Sequence, residues 1–320
     1  MSQIGPNEVF KTQGQPTITY VKRENGKYEK QLSDAIDSKG IICVLTGPSK
    51  TGKTTLYTEV VRSKTLEPLI IRCHNNLTSH DVWKIALEKV NFERIRESSA
   101  TKETTKRLEG KLGGKIGWSW LAGLVGEVTT GISSNDGEGK IREKILANPQ
   151  PTHLIPILQN MPYLLIVEDF HYLNQDVQKT VFQQWKAFID SEVSVVVVGT
   201  THHASDLAYA NKDLIGRYTQ VNLGNWELED LKKIPIKGFS YLKRALPQSV
   251  MSLIARESVG LPIIAQCVSL QIILNEPQEK KELVYTKQSG LDALHDVAVN
   301  RFGAFSSIHD RLIRGPRSII

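Results

Sequence analysis

The sequence predicts an α/β fold, a parallel β-sheet with flanking helices, followed by a small helical lid. Three observations carry that prediction. Short, continuous apolar runs alternate with amphipathic stretches between residues 40 and 224. Such runs mark strands buried on both faces, and strand–helix alternation is the pattern of a parallel sheet. A glycine-containing turn follows the first run and opens a helical stretch. Beyond residue 225 the strand pattern stops and helical periodicity continues to about residue 275.

The elements follow in order. Residues 1–30 form a polar arm with Gly5, Pro6, Gly14, Pro16 and Gly26, and one alternating run, Thr17–Val21, expected to add a short strand or pack on the core. Residues 28–38 predict a short helix that Gly40 stops. Ile41–Thr46 is the first strand, followed by a helix from Thr54 to about Arg62. Leu69–Arg72 is the second strand, and Thr78-Ser-His-Asp81 starts a helix that runs through Val82–Val90. Pro162–Val167 is the third strand. Gln175–Ile189 places Val177, Val181, Trp185 and Phe188 at helical spacing. Val193–Val198 is the fourth strand and Thr219–Leu223 a candidate fifth. Glu227–Lys233, Phe239–Ala245, Gln248–Ser258 and Leu261–Leu274 are the helical candidates after the sheet. The resulting division is an arm (1–30), an α/β domain (31–224), a lid (225–290) and a tail (291–320) with Arg301, Arg311, Arg314 and Arg317 among apolar residues.

Residues 96–140 interrupt the pattern with nine glycines around an apolar segment, Ile116–Val125. That segment is too short to span a bilayer and too glycine-rich for an assured helix. The expectation is a surface excursion with one packed patch. The alternative is a contact loop for DNA, a membrane surface or a neighbouring subunit. Lys102, Lys106, Arg107, Lys111 and Lys115 precede Trp118 and Trp120, as a strand-binding surface would require, although Glu97, Glu103 and Glu109 dilute the charge.

At 320 residues the chain predicts two domains or one with an appendage. With 40% hydrophobic and 23% charged residues it is globular, not disordered or collagen-like. No apolar run approaches the ~20 residues of a membrane helix, and Met1–Phe10 lacks the apolar centre of a secretory signal. Cys43, Cys73 and Cys267 lie far apart without metal-ligand spacing, which fits buried thiols in a reducing cytoplasm. Net charge is +6, which permits a nucleic-acid or acidic partner without requiring one.

The chemistry concentrates in Gly47-Pro48-Ser49-Lys50-Thr51-Gly52-Lys53-Thr54, with Thr55 following, which fits G-x-x-x-x-G-K-[ST] between a buried strand and a helix. The glycines let the chain wrap a phosphate, and backbone N–H groups from Ser49 to Thr54 turn inward as an anion nest at a helix N-terminus. Lys53 reaches the β- and γ-phosphates, and the Thr54 hydroxyl ligates Mg²⁺. Tyr163–Asp169 ends an apolar strand in two acids, Glu168 and Asp169, at the end of the sheet where α/β folds place ligands. One acid would hold Mg²⁺ and the other orient the attacking water. Thr200 or Thr201, after the fourth strand, is placed to hydrogen-bond the γ-phosphate or that water; His202 and His203 read as solvated loop residues.

This set resembles the AAA+/ASCE type of P-loop NTPase, and within it the AAA+ and STAND branch, including Orc1/Cdc6-like and NLR-like ATP-binding proteins of bacteria. The resemblance covers roughly residues 35–275. It implies a Walker A at Gly47–Thr54, a Walker B at Leu164–Asp169 and a sensor-1 strand ending at Thr200 and Thr201. Leu214-Ile-Gly-Arg-Tyr218 is similar to the family's arginine segment, which would make Arg217 a finger for a neighbouring subunit or a sensor in its own; an ordinary surface ion pair is the alternative. The family's Walker B usually runs Asp then Glu or Asp, whereas here Glu168 takes the metal-associated position and Asp169 the water-activating one. Gly260-Leu-Pro262 is similar to the Gly-x-Pro of STAND proteins, which places Pro262 near bound nucleotide, while no Gly-x-x-Arg sensor appears. No Asp-x-x-Gly follows the third strand and no Arg-rich phosphate lid is present, which disfavours GTPases and nucleotide kinases.

The function implied is an ATP- and Mg²⁺-dependent molecular switch that homo-oligomerises on ATP binding. With few residues after Asn275, its output would pass through a separate effector or sensor protein, and family analogy adds bacterial anti-phage defence. Two other functions remain compatible: a DNA-associated AAA+ ATPase, such as a transposition regulator or loader, and a non-hydrolysing interaction protein with structural nucleotide.

Overall fold

The computed structural model describes residues 4–92, 116–125, 136–199, 216–277 and 284–314, with side chains through Arg301. The chain divides into two compact units. One comprises Tyr28–Pro48 and Leu56–Leu223, the other the arm through Lys27, Ser49–Thr55 and the chain from Gly224 onward.

In chain order, the arm holds α1 (Pro6–Val9) and a 3₁₀ turn at Arg23–Gly26, then α2 (Lys27–Asp37), β1 (Ile42–Thr46), α3 (Lys53–Ser63), β2 (Glu67–Arg72) and α4 (Ser79–Glu88). Next come α5 (Trp118–Val125), α6 (Glu138–Ala147), α7 (Pro151–Asn160), β3 (Tyr163–Glu168), α8 (Gln175–Gln184), α9 (Lys186–Asp190), β4 (Val195–Val198) and β5 (Tyr218–Asn222). The chain continues through α10 (Leu228–Tyr241), α11 (Gln248–Glu257), α12 (Pro262–Leu274) and α13 (Lys287–Arg314). The boundary expected at residue 291 falls inside α13.

The five strands form one parallel sheet in the order β2-β3-β4-β1-β5. Every residue of the three central strands is buried, whereas edge strands β2 and β5 are partly exposed. The two-residue period of a strand splits the central side chains cleanly. Ile42, Val44, Leu165, Val167, Val195 and Val197 face a core closed by Trp83, Leu154, Phe182, Trp185 and Phe188. Cys43, Leu45, Leu164, Ile166, Val196 and Val198 face Leu32, Ile36, Leu56, Tyr57, Val60 and Val61 of α2 and α3. Helices on both faces are why these strands read as continuous apolar runs.

Several local expectations are corrected. Of the two expectations for Thr17–Val21, the strand is absent and the packing is met: Thr19 and Val21 are buried, Val21 in the core of its own unit. The Thr19 hydroxyl donates to the Val9 carbonyl at 3.1 Å and accepts from the Gln266 side-chain amide at 2.8 Å, which anchors the packed segment. The glycine-rich segment contains an eight-residue helix, α5. The Glu138 carboxylate accepts hydrogen bonds from the backbone N–H of Trp118 at 2.6 Å and Ser119 at 3.2 Å, capping α5 from another helix. Helices α6 and α7 fall where the sequence predicts no element. The expected helix at 175–189 is two, because the chain breaks at Trp185, whose fully buried indole packs between Phe170 at 5.1 Å and Phe182 at 4.9 Å. Conversely, the segments expected at 227–233 and 239–245 are one helix, α10, running through Pro235. Ile234, Pro235, Gly238 and Phe239 are all buried along it, and that packing offsets the lost backbone bond of an interior proline.

In the second unit, α12 is buried from Ala265 to Leu270 and is the centre around which the other helices pack. Arm residues Val9, Phe10 and Val21 join its core with Leu231, Ile234 and Phe239. Among the described residues no helix is long and apolar enough to cross a membrane.

Candidate functional site

The loop between β1 and α3 is shaped by its backbone. Gly47 is buried at φ +145°, and a Cβ there would lie 2.2 Å from the Leu223 carbonyl oxygen, so only glycine fits. Lys50 and Gly52 both adopt left-handed φ, +65° and +97°, on either side of Thr51. Left-handed residues at alternating positions are the backbone pattern of an anion-binding nest. Lys53 opens α3, so the helix's unpaired N–H groups and its partial positive charge end at the loop. Thr54, in the first turn, is exposed; Lys53 and Thr55 are half-buried and Thr51 fully buried, while Pro48, Ser49 and Lys50 are exposed. Wrapping loop, helix terminus, cation and hydroxyl together fit a Mg²⁺-bound polyphosphate.

The loop is held from outside. The Trp226 indole N–H donates to the Thr51 carbonyl at 2.9 Å, and the Gln15 side-chain amide donates to the Thr54 carbonyl at 3.4 Å. Ser49 and Lys50 also line a largely apolar cavity of about 600 Å³ with Leu261, Ile263, Ile264, Leu294 and Val297. Pro262 occupies the first turn of α12, where its missing N–H costs nothing.

At the carboxyl end of β3 the two acids differ sharply. Glu168 is buried; its Oε1 accepts from the Tyr57 hydroxyl at 2.9 Å and its Oε2 from Arg72 Nε at 3.1 Å. Burial and then the Glu168 charge push the Tyr57 phenol well above its usual range, so it stays a donor. Asp169 is exposed and left-handed at φ +57°, a conformation aspartate tolerates. Burial, with the Asp169 charge adding, pushes the Cys73 thiol up to about 12. Burial alone does the same to Cys43. All three cysteines are buried and free. Among the described residues no three His, Cys, Asp or Glu side chains group as a metal site. Mg²⁺ needs no such cage, because it uses one or two protein oxygens together with phosphates and water.

Sequence reasoning missed Tyr57 and Arg72. Tyr57 lies one helical turn beyond Thr54, and Arg72 pairs in register with Glu168 on the adjacent strand. The second signal is legible only once the strand order is known.

The remaining site residues fall elsewhere. Arg217 precedes β5, its carbonyl accepting from Ile42 N–H at 3.1 Å, so it lies at the amino edge of the sheet, opposite Glu168. Its guanidinium pairs with Asp190 at 2.9 Å, with both side chains half exposed. Thr200, Thr201, His202 and His203 lie outside the described residues, as do the five cations at 102–115. Trp118 and Trp120 are not a stacking platform. Trp120 is buried, Trp118 packs against the same core, and both meet Phe92 edge-on at 6.5 and 5.3 Å.

No protein-family model matches the chain, and neither does any curated protein sequence. Solved structures do. The Walker-type ATPase paby2304 of Pyrococcus abyssi superposes with a TM-score of 0.56 at 12% identity, covering 93% of this chain and 81% of that one. The Thermotoga maritima RuvB Holliday junction branch migration motor gives a TM-score of 0.48 at 15% identity over 88% of this chain and 74% of that one. Domain III of the Thermotoga maritima replication initiation protein DnaA gives 0.46 at 11% identity, over 92% and 98%. At 12% identity the likeness to the Pyrococcus abyssi ATPase speaks for the fold alone, and with the strand order and the loop after β1 it gives the chain a P-loop-type α/β fold, a parallel sheet with flanking helices.

Proposed function

We propose that the chain is an ATP-binding and ATP-hydrolysing molecular switch. The observation that carries the reading is the Gly47–Thr54 loop: a left-handed nest ending at the N-terminus of α3, with Lys53 in its first turn. In this account the backbone N–H groups of Ser49–Thr54 and the Lys53 ammonium bind the β- and γ-phosphates. Thr54 and Glu168 hold Mg²⁺, which neutralises phosphate charge. Tyr57 and Arg72 fix the orientation of the Glu168 carboxylate. Asp169 orients the attacking water, and Thr200 or Thr201 hydrogen-bonds it or the γ-phosphate. Pro262 packs near the nucleotide, and Arg217 serves a neighbouring subunit, since in its own chain it lies at the opposite sheet edge from Glu168.

ATP must bind more tightly to the closed, assembled form than ADP does, or nothing switches. Assembly as a homo-oligomer and control of a separate effector or sensor protein follow from that reading. A role in bacterial anti-phage defence rests on resemblance to STAND ATPases alone. The test is steady-state ATP turnover at several protein concentrations, with and without duplex DNA, and with Lys53→Ala as the blank. Specific activity rising with protein concentration supports a site completed by a neighbour. Activity appearing only with DNA favours the DNA-associated ATPase instead. Turnover at the blank under every condition, with nucleotide retained, favours the non-hydrolysing interaction protein.

A further inference from the structure

Trp226 is tied by hydrogen bonds and by packing to three segments of the chain. Its indole N–H donates to the Thr51 carbonyl at 2.9 Å, and its ring lies within van der Waals reach of the Gly52 α-carbon's open side, 3.9 Å from where a Cβ would sit. Its own backbone N–H donates to the Gly260 carbonyl at 3.0 Å. Its ring carries the Arg23 guanidinium at 5.1 Å, and the same guanidinium donates to the Gly224 and Asn225 carbonyls at 3.2 and 3.0 Å. One residue thus joins the phosphate-type loop and the arm through its side chain, and the turn that connects α11 to α12 through its backbone.

The bond to Thr51 constrains the loop through peptide geometry. The Thr51–Gly52 peptide bond is trans, so the carbonyl of Thr51 and the N–H of Gly52 point in opposite directions from one rigid plane. A carbonyl held toward Trp226 therefore turns the Gly52 N–H away from it. Gly52 at φ +97° has no intrinsic preference that would fix this plane, so an external donor must. The far end of the relay is also restrained. Val259 and Gly260 both sit at positive φ, +47° and +76°, and Val259 is β-branched, for which that conformation is strained. A Cβ on Gly260 would lie 2.7 Å from the Asn225 Cβ, so the turn is pressed directly against the residue before Trp226.

We propose that Trp226 is a positioning residue for the nucleotide's phosphates, and that it transmits the state of the Thr51–Gly52 peptide to the Val259–Gly260 turn. This rests on the nucleotide-binding reading of the same loop and deepens it by naming the side chain that senses occupancy. Lys53 and Thr54 supply charge and ligand atoms, whereas Trp226 touches only the loop's outer face and acts through backbone orientation.

The experiment compares wild type, Lys53→Ala, Trp226→Phe and Gly260→Ala, with ATP binding read by equilibrium dialysis and tryptophan emission read in parallel. Trp226→Phe keeps an aromatic ring but removes the N–H donor together with part of the indole's surface. Loss of one neutral hydrogen bond that orients the loop weakens ATP binding about fivefold to tenfold, and Gly260→Ala weakens it in the same direction. Four of the chain's five tryptophans, Trp83, Trp118, Trp120 and Trp185, belong to the sheet unit's core. Trp226 is the tryptophan outside that core, so wild-type emission changes on ATP addition, and at saturating ATP that change is diminished in Gly260→Ala, which keeps the fluorophore and disturbs the turn, an outcome that a merely structural role would not produce. Wild-type binding weakened by Lys53→Ala, with Trp226→Phe binding within twofold of wild type and Gly260→Ala showing the full wild-type emission change, overturns this proposal alone. No binding by wild type overturns the nucleotide reading with it. Should Trp226→Phe not fold, Gly260→Ala decides: weaker ATP binding with a diminished emission change supports the relay, and wild-type binding with the full emission change refutes it.

Discussion

Replacing a glycine inside a helix with alanine ordinarily stabilises it, by about 0.5–1 kcal/mol. Gly238, in the middle of α10, should do the opposite. A Cβ built there would lie 2.1 Å from Phe10 Cζ and 2.2 Å from Cε1. The Phe10 ring is fully buried and its centroid is 5.5 Å from that of Phe239, so the ring has to leave its slot as a rigid body. Removing a buried phenylalanine outright costs about 3–5 kcal/mol. Set against a helix gain of about 1 kcal/mol, Gly238→Ala should destabilise by about 2–4 kcal/mol. Urea unfolding measures this, and a double-mutant cycle isolates the cause. In a Phe10→Ala background the obstruction is gone, so adding Gly238→Ala should recover about 1 kcal/mol. The same substitution thus changes sign with the background. A Gly238→Ala single variant more stable than wild type would refute the seating of the arm on α10. The consequence reaches the site, because the displaced arm carries Gln15 and Arg23, which brace Thr54 and Trp226.

Three further outcomes follow from the structure. The Thr78 side chain and Asp81 form a reciprocal capping box at the start of α4, so Thr78→Ala should cost about 1 kcal/mol in urea unfolding. Tyr57→Phe removes a donor from the buried Glu168 carboxylate and should cost about 1.5–3 kcal/mol, the worth of a hydrogen bond to a charged group, whereas an unchanged midpoint would contradict that bond. His153 is buried, and burial holds its imidazole below the usual value of 6.5. The unfolded chain then takes up a proton that the folded one refuses. Stability is full above about 6.5 and is lost as pH falls from there toward the depressed folded value. His153→Gln should flatten that part of the stability–pH curve.

The sequence made the sheet legible because its strands are buried on both faces, which leaves uninterrupted runs such as Val195–Val198 that no helix pattern mimics. The phosphate-type loop was legible because only a few residue types can build it. What stayed hidden depended on partners distant in sequence. Helix α5 owes its start to Glu138, and α10 continues through Pro235 because its buried face outweighs the local penalty. The alternation at Thr17–Val21 marked a segment that packs on the core instead of adding a strand, with the Thr19 hydroxyl bonded to the Val9 carbonyl and the Gln266 amide. At the site, Glu168 and Asp169 were visible as a pair, yet their opposite environments arise from Tyr57, from Arg72 in register on β2, and from a left-handed turn at Asp169. Trp226 carried no motif at all; its role is a contact made across some 175 residues of sequence.

The central claim is that the Gly47–Thr54 loop holds the phosphates of a nucleotide, and equilibrium dialysis of ATP with Mg²⁺ against wild type and Lys53→Ala tests it most directly. Wild type should bind saturably, and removing the ammonium should weaken binding about tenfold to a hundredfold, the worth of one charge-assisted hydrogen bond to a phosphate. Equal affinity in the two proteins, or no binding by either, would contradict it.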